Sequence, residues 1–168
     1  MYPDTMEMRN GHMLSEKRKR LFIQAVSAKK ASMYRVALLI LKSSHDAEDA
    51  CEDAVEITFR HLDSVRDDGA IPAYLMRCTV NACHAILKKR KKEISHEDFE
   101  AILPPVFDES PIWAYLIGLD EKYSVPIAMR FSEDMPIAQI AQALTLPQGT
   151  VSTRISRGLK LLKNQMER

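Results

Sequence analysis

The clearest hydrophobic pattern of the chain lies near its end, between residues 135 and 163. Apolar residues at positions 137, 138, 140, 141 and 144 follow helical spacing, and Pro147 can begin a new helix but cannot continue the old one. The second helix then carries an apolar face that we expect to be buried: Val151, Ile155, Leu159 and Leu162. The pattern predicts two short helices joined by a tight turn.

The outward side of this second helix carries hydroxyls, amides and bases but no acid. We call it the Arg157 face: Gln148, Thr150, Thr153, Arg154, Arg157 and Lys160. Such side chains reach phosphates and base edges in a DNA major groove, as the second helix of a helix-turn-helix does. An ordinary amphipathic hairpin with solvated bases has the same apolar spacing, so the pattern alone leaves both interpretations open.

Helical spacing also predicts a short helix over 16–28, a helix over 32–42 and a helix over 46–65 that Asp46 caps. The stretch 32–42 is apolar nearly all round, which predicts a central core helix. The basic run 17–20 is interpreted as a solvated face with a minor part in DNA affinity. Two helices are predicted within 111–131, and Phe131 is expected to support the final helical pair.

The helix over 46–65 has an acidic side, and the helix predicted over 73–92 has a basic one. The acidic face comprises Glu48, Asp49, Glu52 and Asp53, and Glu56 continues it. Since like charges repel, it cannot approach DNA, and it is either a solubilising surface or a docking surface for a basic protein. The basic side, here the Asn81 face, comprises Tyr74, Arg77, Asn81, His84 and Lys88, with Lys91 beyond. It combines charge for phosphates, an amide for a base edge and a ring for stacking.

The net charge of +1 conceals a strong partition. Residues 1–92 sum to +5, residues 93–110 to −6 and residues 111–168 to +2. We therefore expect a mobile segment over 1–15, a first helical module over 16–92, an acidic linker over 93–110 and a second helical module over 111–168. The apolar residues of the linker suggest that it rests on a surface. The predicted fold class is all-α, with two small domains.

Other features of the sequence restrict the cellular location that we expect. No apolar run is long enough to span a membrane, and the first residues lack the apolar core of a signal peptide. Three cysteines, an odd number, favour a reducing compartment over a disulfide framework. We expect a cytoplasmic protein that needs no metal or other cofactor.

Several motifs, in order, resemble the extracytoplasmic-function (ECF) group of bacterial sigma-70 factors. In the first module these are LILKSSHDAEDACEDAV, similar to the family helix that docks on a polymerase β′ coiled coil, and AYLMRCTVNACHAILKKRKK, similar to its −10 helix. In the second they are LDEKYSVPIAMRF, IAQIAQAL and GTVSTRISRGLKLL, similar to its −35 domain. The string Gly149, Thr150, Val151 and Arg154 is the most specific element.

The resemblance implies a sigma factor, not an enzyme, that directs core polymerase to promoters and melts them. It implies that the acidic face binds the polymerase β′ coiled coil, the Asn81 face binds the −10 non-template strand, and the Arg157 face enters the −35 groove. Further implied partners are the polymerase β flap and an anti-sigma factor. The acidic linker would thread toward the polymerase channels, and the protein would associate with the nucleoid through polymerase.

Some positions depart from the family pattern. Tyr74 replaces a usual Trp, Ala85 a usual Asp, and Gln139 a usual Glu, while Ala54 and Val55 replace Thr-Phe. Thr145 replaces a usual Gly at the turn, where a left-handed conformation would cost about 1 kcal/mol. These differences bear on promoter sequence and on the strength of melting.

Two rival functions follow from the same residues. One is a stand-alone helix-turn-helix regulator that binds duplex operators as a dimer; the final helical pair alone does not exclude it. The other is a metal enzyme or redox sensor that uses Cys51, Cys78, Cys83, His45, His61 and His84. No pair among these has the Cys-x-x-Cys or His-x-x-x-His spacing that metal sites favour.

Overall fold

The computed structural model describes residues 14–93 and 111–168, and within these ranges the chain is helical and contains no strand. This confirms the predicted all-α fold. The helices are α1 Glu16–Leu41, α2 Ser44–Arg60, α3 Ile71–Glu93, α4 Ile112–Gly118, α5 Glu121–Phe131, α6 Ile137–Leu144 and α7 Gln148–Met166. Residues 1–13 and 94–110, which hold most of the predicted mobile segment and linker, lie outside the described residues.

The first helix is one continuous element of 26 residues, not the two helices predicted from the pattern. Lys29, Lys30 and Ala31, which join the two predicted pieces, are good helix formers, and neither Gly nor Pro interrupts them. Ser15 caps the start of α1 by accepting a hydrogen bond from the backbone N–H of Arg18. The apolar second half, from Val36 to Leu41, is buried as predicted.

The second helix begins two residues earlier than predicted and ends five residues sooner. Its N-cap is Ser43, whose Oγ accepts from the N–H of Asp46 at 3.4 Å, so the prediction that Asp46 is the cap was wrong. Asp46 lies in the first turn instead, where a carboxylate favours the helix dipole. After Arg60 the chain forms two short 3-10 turns, Leu62–Ser64 and Asp68–Ala70, before α3.

Arg18 belongs to the structure of this connection rather than to a solvated basic face. Its Nε lies 2.8 Å from Asp68 Oδ1, and its Nη1 and Nη2 donate to the carbonyls of Leu62 and Val65 at 2.6 and 2.5 Å. The guanidinium thereby adds a side-chain donor to the Leu62 carbonyl, which also accepts from the Val65 N–H at 3.3 Å, and supplies one to the Val65 carbonyl. The interpretation of the run 17–20 as solvated is therefore wrong for Arg18, which fixes the path from α2 to α3.

The final helical pair has the predicted form. Thr145 ends α6 with φ 55° and ψ 49°, so the expected left-handed residue is present, and the N–H of Leu146 donates to the Ala141 carbonyl at 2.9 Å. Pro147 then caps α7. The turn brings α7 into contact with α6, as expected of a helix-turn-helix.

Two apolar residues do not lie where the pattern put them. Leu159 is 40% exposed and Phe131 is 59% exposed, although both were expected to be buried. In this turn of α7 the buried position is Gly158, where a Cβ would lie 2.6 Å from Ile127 Cδ1 and 3.0 Å from Tyr123 Cβ. Helix α5 packs so closely against α7 at this glycine that Leu159 is turned toward solvent.

Both modules contribute to one hydrophobic core. Helices α1, α2 and α3 pack on one another, α5, α6 and α7 do the same, and α3 also contacts α6 while α1 contacts α5. The buried cluster accordingly contains Val36 and Leu75 of the first module and Leu116 and Ile140 of the second. The two modules are therefore docked against each other in this structure.

Candidate nucleic-acid and protein interfaces

The Asn81 face lies on the solvent side of α3. Arg77, Asn81 and Lys88 are exposed, while the opposite side of the helix is buried at Leu75, Cys78 and Thr79. The buried side holds α3 against α1 and α2, so the exposed bases and amide project from a rigid support. An exposed stripe of this kind can contact phosphates and hydrogen-bond a base edge.

Tyr74 is half-buried at the start of the Asn81 face. Its ring packs against the shared core and against a second, smaller buried cluster formed by Phe22, Ala25, Leu62, Val65 and Ile71. Burial raises the pKa of its hydroxyl, and the neighbouring Cys78 adds to the effect. The ring is therefore held in place by its neighbours, and the part of it that stays exposed can stack on a base.

Within the described residues, one polar contact joins the Asn81 face to the second module, and His84 makes it. Its Nε2 lies 3.4 Å from Glu121 Oε1 at the start of α5. The hydrogen bond to Glu121 raises the pKa of His84 above its ordinary value of 6.5, which favours the charged imidazolium. One −10 candidate is therefore engaged by a carboxylate of the other module.

The Arg157 face is open to solvent along α7. Gln148, Thr153, Arg157 and Lys160 are exposed, and Thr150 and Arg154 are half-buried. Val151, Ile155 and Leu162 on the other side are buried against the module. The described length of α7 carries no acid, so nothing on this helix opposes a phosphate backbone.

The acidic face is exposed along α2 and borders a groove. Glu48, Asp49, Glu52 and Asp53 all lie on the surface, whereas Ala47, Ala50 and Ala54 are fully buried. The groove has a volume of 460 Å³, and its lining residues come from α2 and α3: Asp46, Asp49, Glu52, Asp53, Ala85, Ile86, Lys89 and Arg90. This concave, mostly negative surface suits a basic protein segment.

Arg90 ties the groove together at its base. Its Nη1 donates to the Leu41 carbonyl at 3.2 Å, at the end of α1, and its Nη2 forms an ion pair with Asp46 at the start of α2. The guanidinium thus joins the end of α3 to the other two helices. Within the predicted basic tail of α3, Arg90 is structural, whereas Lys88 and Lys89 remain exposed.

Sequence reasoning missed the polar contacts between the modules. Arg35 of α1 lies 2.8 Å from Glu133, whose carboxylate is only 6% exposed, and Lys42 Nζ donates to the Ile117 carbonyl at 2.7 Å. One signal was present: Arg35 is a lone charge in an apolar helix, and a buried charge requires a partner. Nothing in the sequence identified Glu133 as that partner.

The rival metal enzyme would need a cluster of metal-ligating side chains. Among the described residues, no group of three or more His, Cys, Asp or Glu side chains is arranged to hold a metal ion. In residues 14–93 and 111–168, none of the helices has the length and apolarity needed to cross a membrane. Burial raises the pKa of the Cys51 thiol to about 12, and Glu48 and Glu52 add to the shift.

Family comparison matches both modules. A family model described as sigma-70 region 2 matches residues 26–93, and one described as sigma-70, region 4 matches residues 110–162. The first range contains the acidic face and the Asn81 face, and the second contains the Arg157 face.

Curated relatives extend over nearly the whole chain. RNA polymerase sigma factor SigV of Bacillus subtilis is 26% identical over an alignment of 153 positions that covers 88% of this chain and 92% of the relative. ECF RNA polymerase sigma factor SigW of the same organism is 23% identical over 165 residues, covering 86% and 88% of the two chains.

A solved structure has the same fold. It is the sigma factor RpoE in complex with the anti-sigma factor NepR from Bartonella quintana, with a TM-score of 0.74 and 17% identity. The alignment covers 91% of this chain and 98% of that one. Both modules and their helical order are therefore shared.

Proposed function

Because the chain belongs to the ECF group of the sigma-70 family and is a sigma factor of RNA polymerase, we propose that its three exposed faces divide the work of promoter recognition. The acidic face binds core polymerase, the Asn81 face holds the −10 non-template strand, and the Arg157 face reads the −35 duplex. The family matches in both modules do not favour a stand-alone helix-turn-helix regulator.

One observation carries this division of work: the three faces are exposed on separate surfaces and differ in charge. Arg77, Asn81 and Lys88 project from α3, and Arg157 and Lys160 project from α7. Asp49 and Asp53 project from α2 beside a groove. Bases can approach DNA, while acids repel it and attract a basic protein surface.

Polymerase and DNA binding support each other in this scheme. Neither basic face needs high affinity alone, because docking on polymerase holds both near the promoter and raises their effective concentration. The Asn81 face captures an unstacked base of the non-template strand, so binding energy drives melting. The protein performs no covalent chemistry and needs no metal; polymerase makes the RNA.

The proposed partners follow from these roles. They are core RNA polymerase, through its β′ coiled coil and β flap, and promoter DNA. An anti-sigma factor is a further proposed partner, supported by the related sigma factor that was solved in complex with NepR.

Because the protein works with polymerase, we place it in the bacterial cytoplasm, associated with the nucleoid. We propose the same domain limits that the sequence predicts, 16–92 and 111–168.

Charge reversal tests the docking role of the acidic face. Asp49→Lys combined with Asp53→Lys should greatly weaken assembly with core polymerase, because two attractive charges become repulsive. Gel filtration of the mixture measures this as loss of the sigma chain from the polymerase peak. A matched control reverses two exposed acids elsewhere, Asp63→Lys and Glu167→Lys. Unchanged assembly of the first variant, or equal loss in both, contradicts the proposed docking site.

A further inference from the structure

The connection between α2 and α3, residues 61–70, is fastened to α1 by the side chain of Arg18. All three guanidinium nitrogens donate to it: to the carbonyls of Leu62 and Val65 at 2.6 and 2.5 Å, and to the Asp68 carboxylate at 2.8 Å. These acceptors lie 44 to 50 residues from Arg18 along the chain. Because a guanidinium presents its donors as a rigid planar fork, it fixes the positions of the three acceptors relative to α1.

The same connection supplies apolar side chains to the smaller buried cluster. Leu62 and Val65, whose carbonyls Arg18 binds, are both buried in it. They pack there with Phe22 and Ala25 of α1 and with Ile71, the first residue of α3. Both the backbone and the side chains of the connection are therefore held on α1.

Tyr74, in the first turn of α3, packs on this smaller cluster. Its ring is half-buried, and Asn81 follows about two turns later on the exposed side of the helix. A ring that is already held in place binds a base more tightly than one that must first be ordered, because less conformational entropy is lost. The support beneath Tyr74 therefore bears on how well the Asn81 face binds an unstacked base.

Arg18 itself is poorly placed to bind a phosphate. Its side chain is 19% exposed, and each of its guanidinium nitrogens already has a protein acceptor. Lys17 also approaches Asp68, at 3.6 Å, but it is largely exposed, and such surface ion pairs contribute little. The bonds to the two carbonyls come from Arg18, so its effect on DNA binding would pass through the connection.

We propose that Arg18 is a positioning residue for −10 binding. It holds the connection on α1 and thereby keeps the Tyr74 ring where an unstacked base of the non-template strand stacks on it. Arg18 does not touch the DNA and acts through Tyr74. This inference rests on the proposed function of the Asn81 face in −10 binding.

The test uses Arg18→Lys in the reconstituted holoenzyme. The substitution keeps the positive charge, but a single ammonium on a flexible stem cannot join Asp68 to two carbonyls as the fork does. Fluorescence anisotropy measures the affinity for a fluorescein-labelled single strand that carries the −10 segment of a promoter transcribed by the holoenzyme. The affinity should fall by roughly fivefold or more, as expected when a base loses its stacking on an aromatic ring.

A double-mutant cycle with Tyr74 distinguishes positioning from a general structural effect. Tyr74→Leu removes the ring and keeps an apolar side chain on the smaller cluster. In that background, adding Arg18→Lys should leave the affinity nearly unchanged, because the ring that Arg18 positions is absent. A general weakening of the module would instead lower the affinity equally with and without the ring.

Arg20→Lys is the matched control, since it makes the same substitution at an exposed arginine of the same helix. It should leave the affinity unchanged. Asp68→Asn carries the test if circular dichroism shows that Arg18→Lys has lost its helices. This second variant weakens one branch of the fork and keeps both carbonyl bonds, so the affinity should fall by less, and only while the Tyr74 ring is present.

Three results overturn the proposal. The first is unchanged affinity in folded Arg18→Lys, and the second is an equal loss with and without the Tyr74 ring. The third is unchanged affinity in Asp68→Asn where Arg18→Lys does not fold. All three presuppose that the wild-type holoenzyme binds the −10 strand; a wild-type holoenzyme that does not bind it contradicts the proposed function itself.

Discussion

Single residues with unusual backbone or packing demands shape the second module. Thr145 adopts the left-handed conformation at the turn between α6 and α7, where a β-branched side chain is strained. Gly158 permits α5 to approach α7 so closely that any Cβ meets Ile127 and Tyr123. Both residues influence how α7, and with it the Arg157 face, is held.

Replacing Thr145 by glycine should stabilise the module. Thr145→Gly removes the left-handed strain, and we expect a gain of about 1 kcal/mol in the free energy of unfolding. Chemical denaturation followed by circular dichroism measures it. A loss of stability would mean that the threonine side chain contributes more at this turn than its backbone strain costs.

Adding one methyl group at Gly158 should destabilise the same module. Gly158→Ala places a Cβ against Ile127 and Tyr123, and overpacking of this kind costs about 1–3 kcal/mol. Gly149→Ala is the matched control, because nothing lies within 4 Å of a Cβ at that position in the same helix. Equal thermal midpoints for the two variants would show that α5 and α7 can move apart freely.

At the scale of elements, the recognition helix α7 should read bases and phosphates with different parts of its length. The first residues of such a helix contact base edges, and later ones contact the backbone. Gln148 lies at the start of α7, and Arg157 lies more than two turns further on. Replacement of Gln148 and replacement of Arg157 should therefore affect DNA binding in different ways.

Arg157→Ala should weaken binding to all −35 duplexes alike. The loss of one phosphate contact should lower the slope of log affinity against log salt by about 1. Gln148→Ala should instead reduce discrimination between matched and mismatched duplexes. Fluorescence anisotropy titrations at several salt concentrations measure both. Lys163→Ala, on another side of α7, is the control, and an equal salt effect there would contradict the assignment of Arg157.

The elements themselves were well predicted, and their limits less so. Apolar spacing predicted α3, α4, α5, α6 and α7, because each has one buried side. It broke α1 into two helices, since its surface pattern changes near Lys29 while its backbone continues. It misplaced Leu159 because the spacing does not reveal that α5 approaches α7 at Gly158, and it misplaced Phe131, which is the last residue of α5.

The Asn81 face and the acidic face are exposed, as the sequence pattern predicted. The pattern could not predict which residues of other elements lie against them. The pairs Arg35–Glu133 and His84–Glu121 join residues far apart in the sequence, and no local spacing encodes such pairs. Arg18 and Arg90 resembled neighbouring surface bases, although the carbonyl oxygens they bind are contributed by distant segments.

For the whole molecule, the docking of the two modules should respond to pH through His84. Its pKa is raised by Glu121, so its contribution to docking is complete below 6.5 and is lost as pH rises through the raised pKa. Glu121 contacts His84 directly, and Glu121 and the preceding Asp120 both act on Lys42. Lys88 lies one turn further along the same helix. Trp113 of α4 is 5% exposed and lies beneath the Arg35 guanidinium of α1. Acrylamide quenching of its fluorescence should therefore increase with pH across this window, as docking weakens.

His84→Gln isolates that effect. The variant lacks the titrating ring, so the quenching of Trp113 should not depend on pH in the same window. An identical pH response in the wild-type protein and in His84→Gln would assign the titration to another group.

In the proposed function, Asn81 and its neighbours read the −10 element while polymerase holds the chain. The most direct measurement is run-off transcription by core polymerase reconstituted with the full chain, with sequencing of the transcript 5′ ends. The wild-type holoenzyme should select start sites that share −35 and −10 elements, and mutation of the −10 element should abolish those transcripts. Asn81→Ala should assemble normally with polymerase but transcribe native and mutated −10 templates alike. Equal transcription of both templates by the wild-type holoenzyme would contradict the claim.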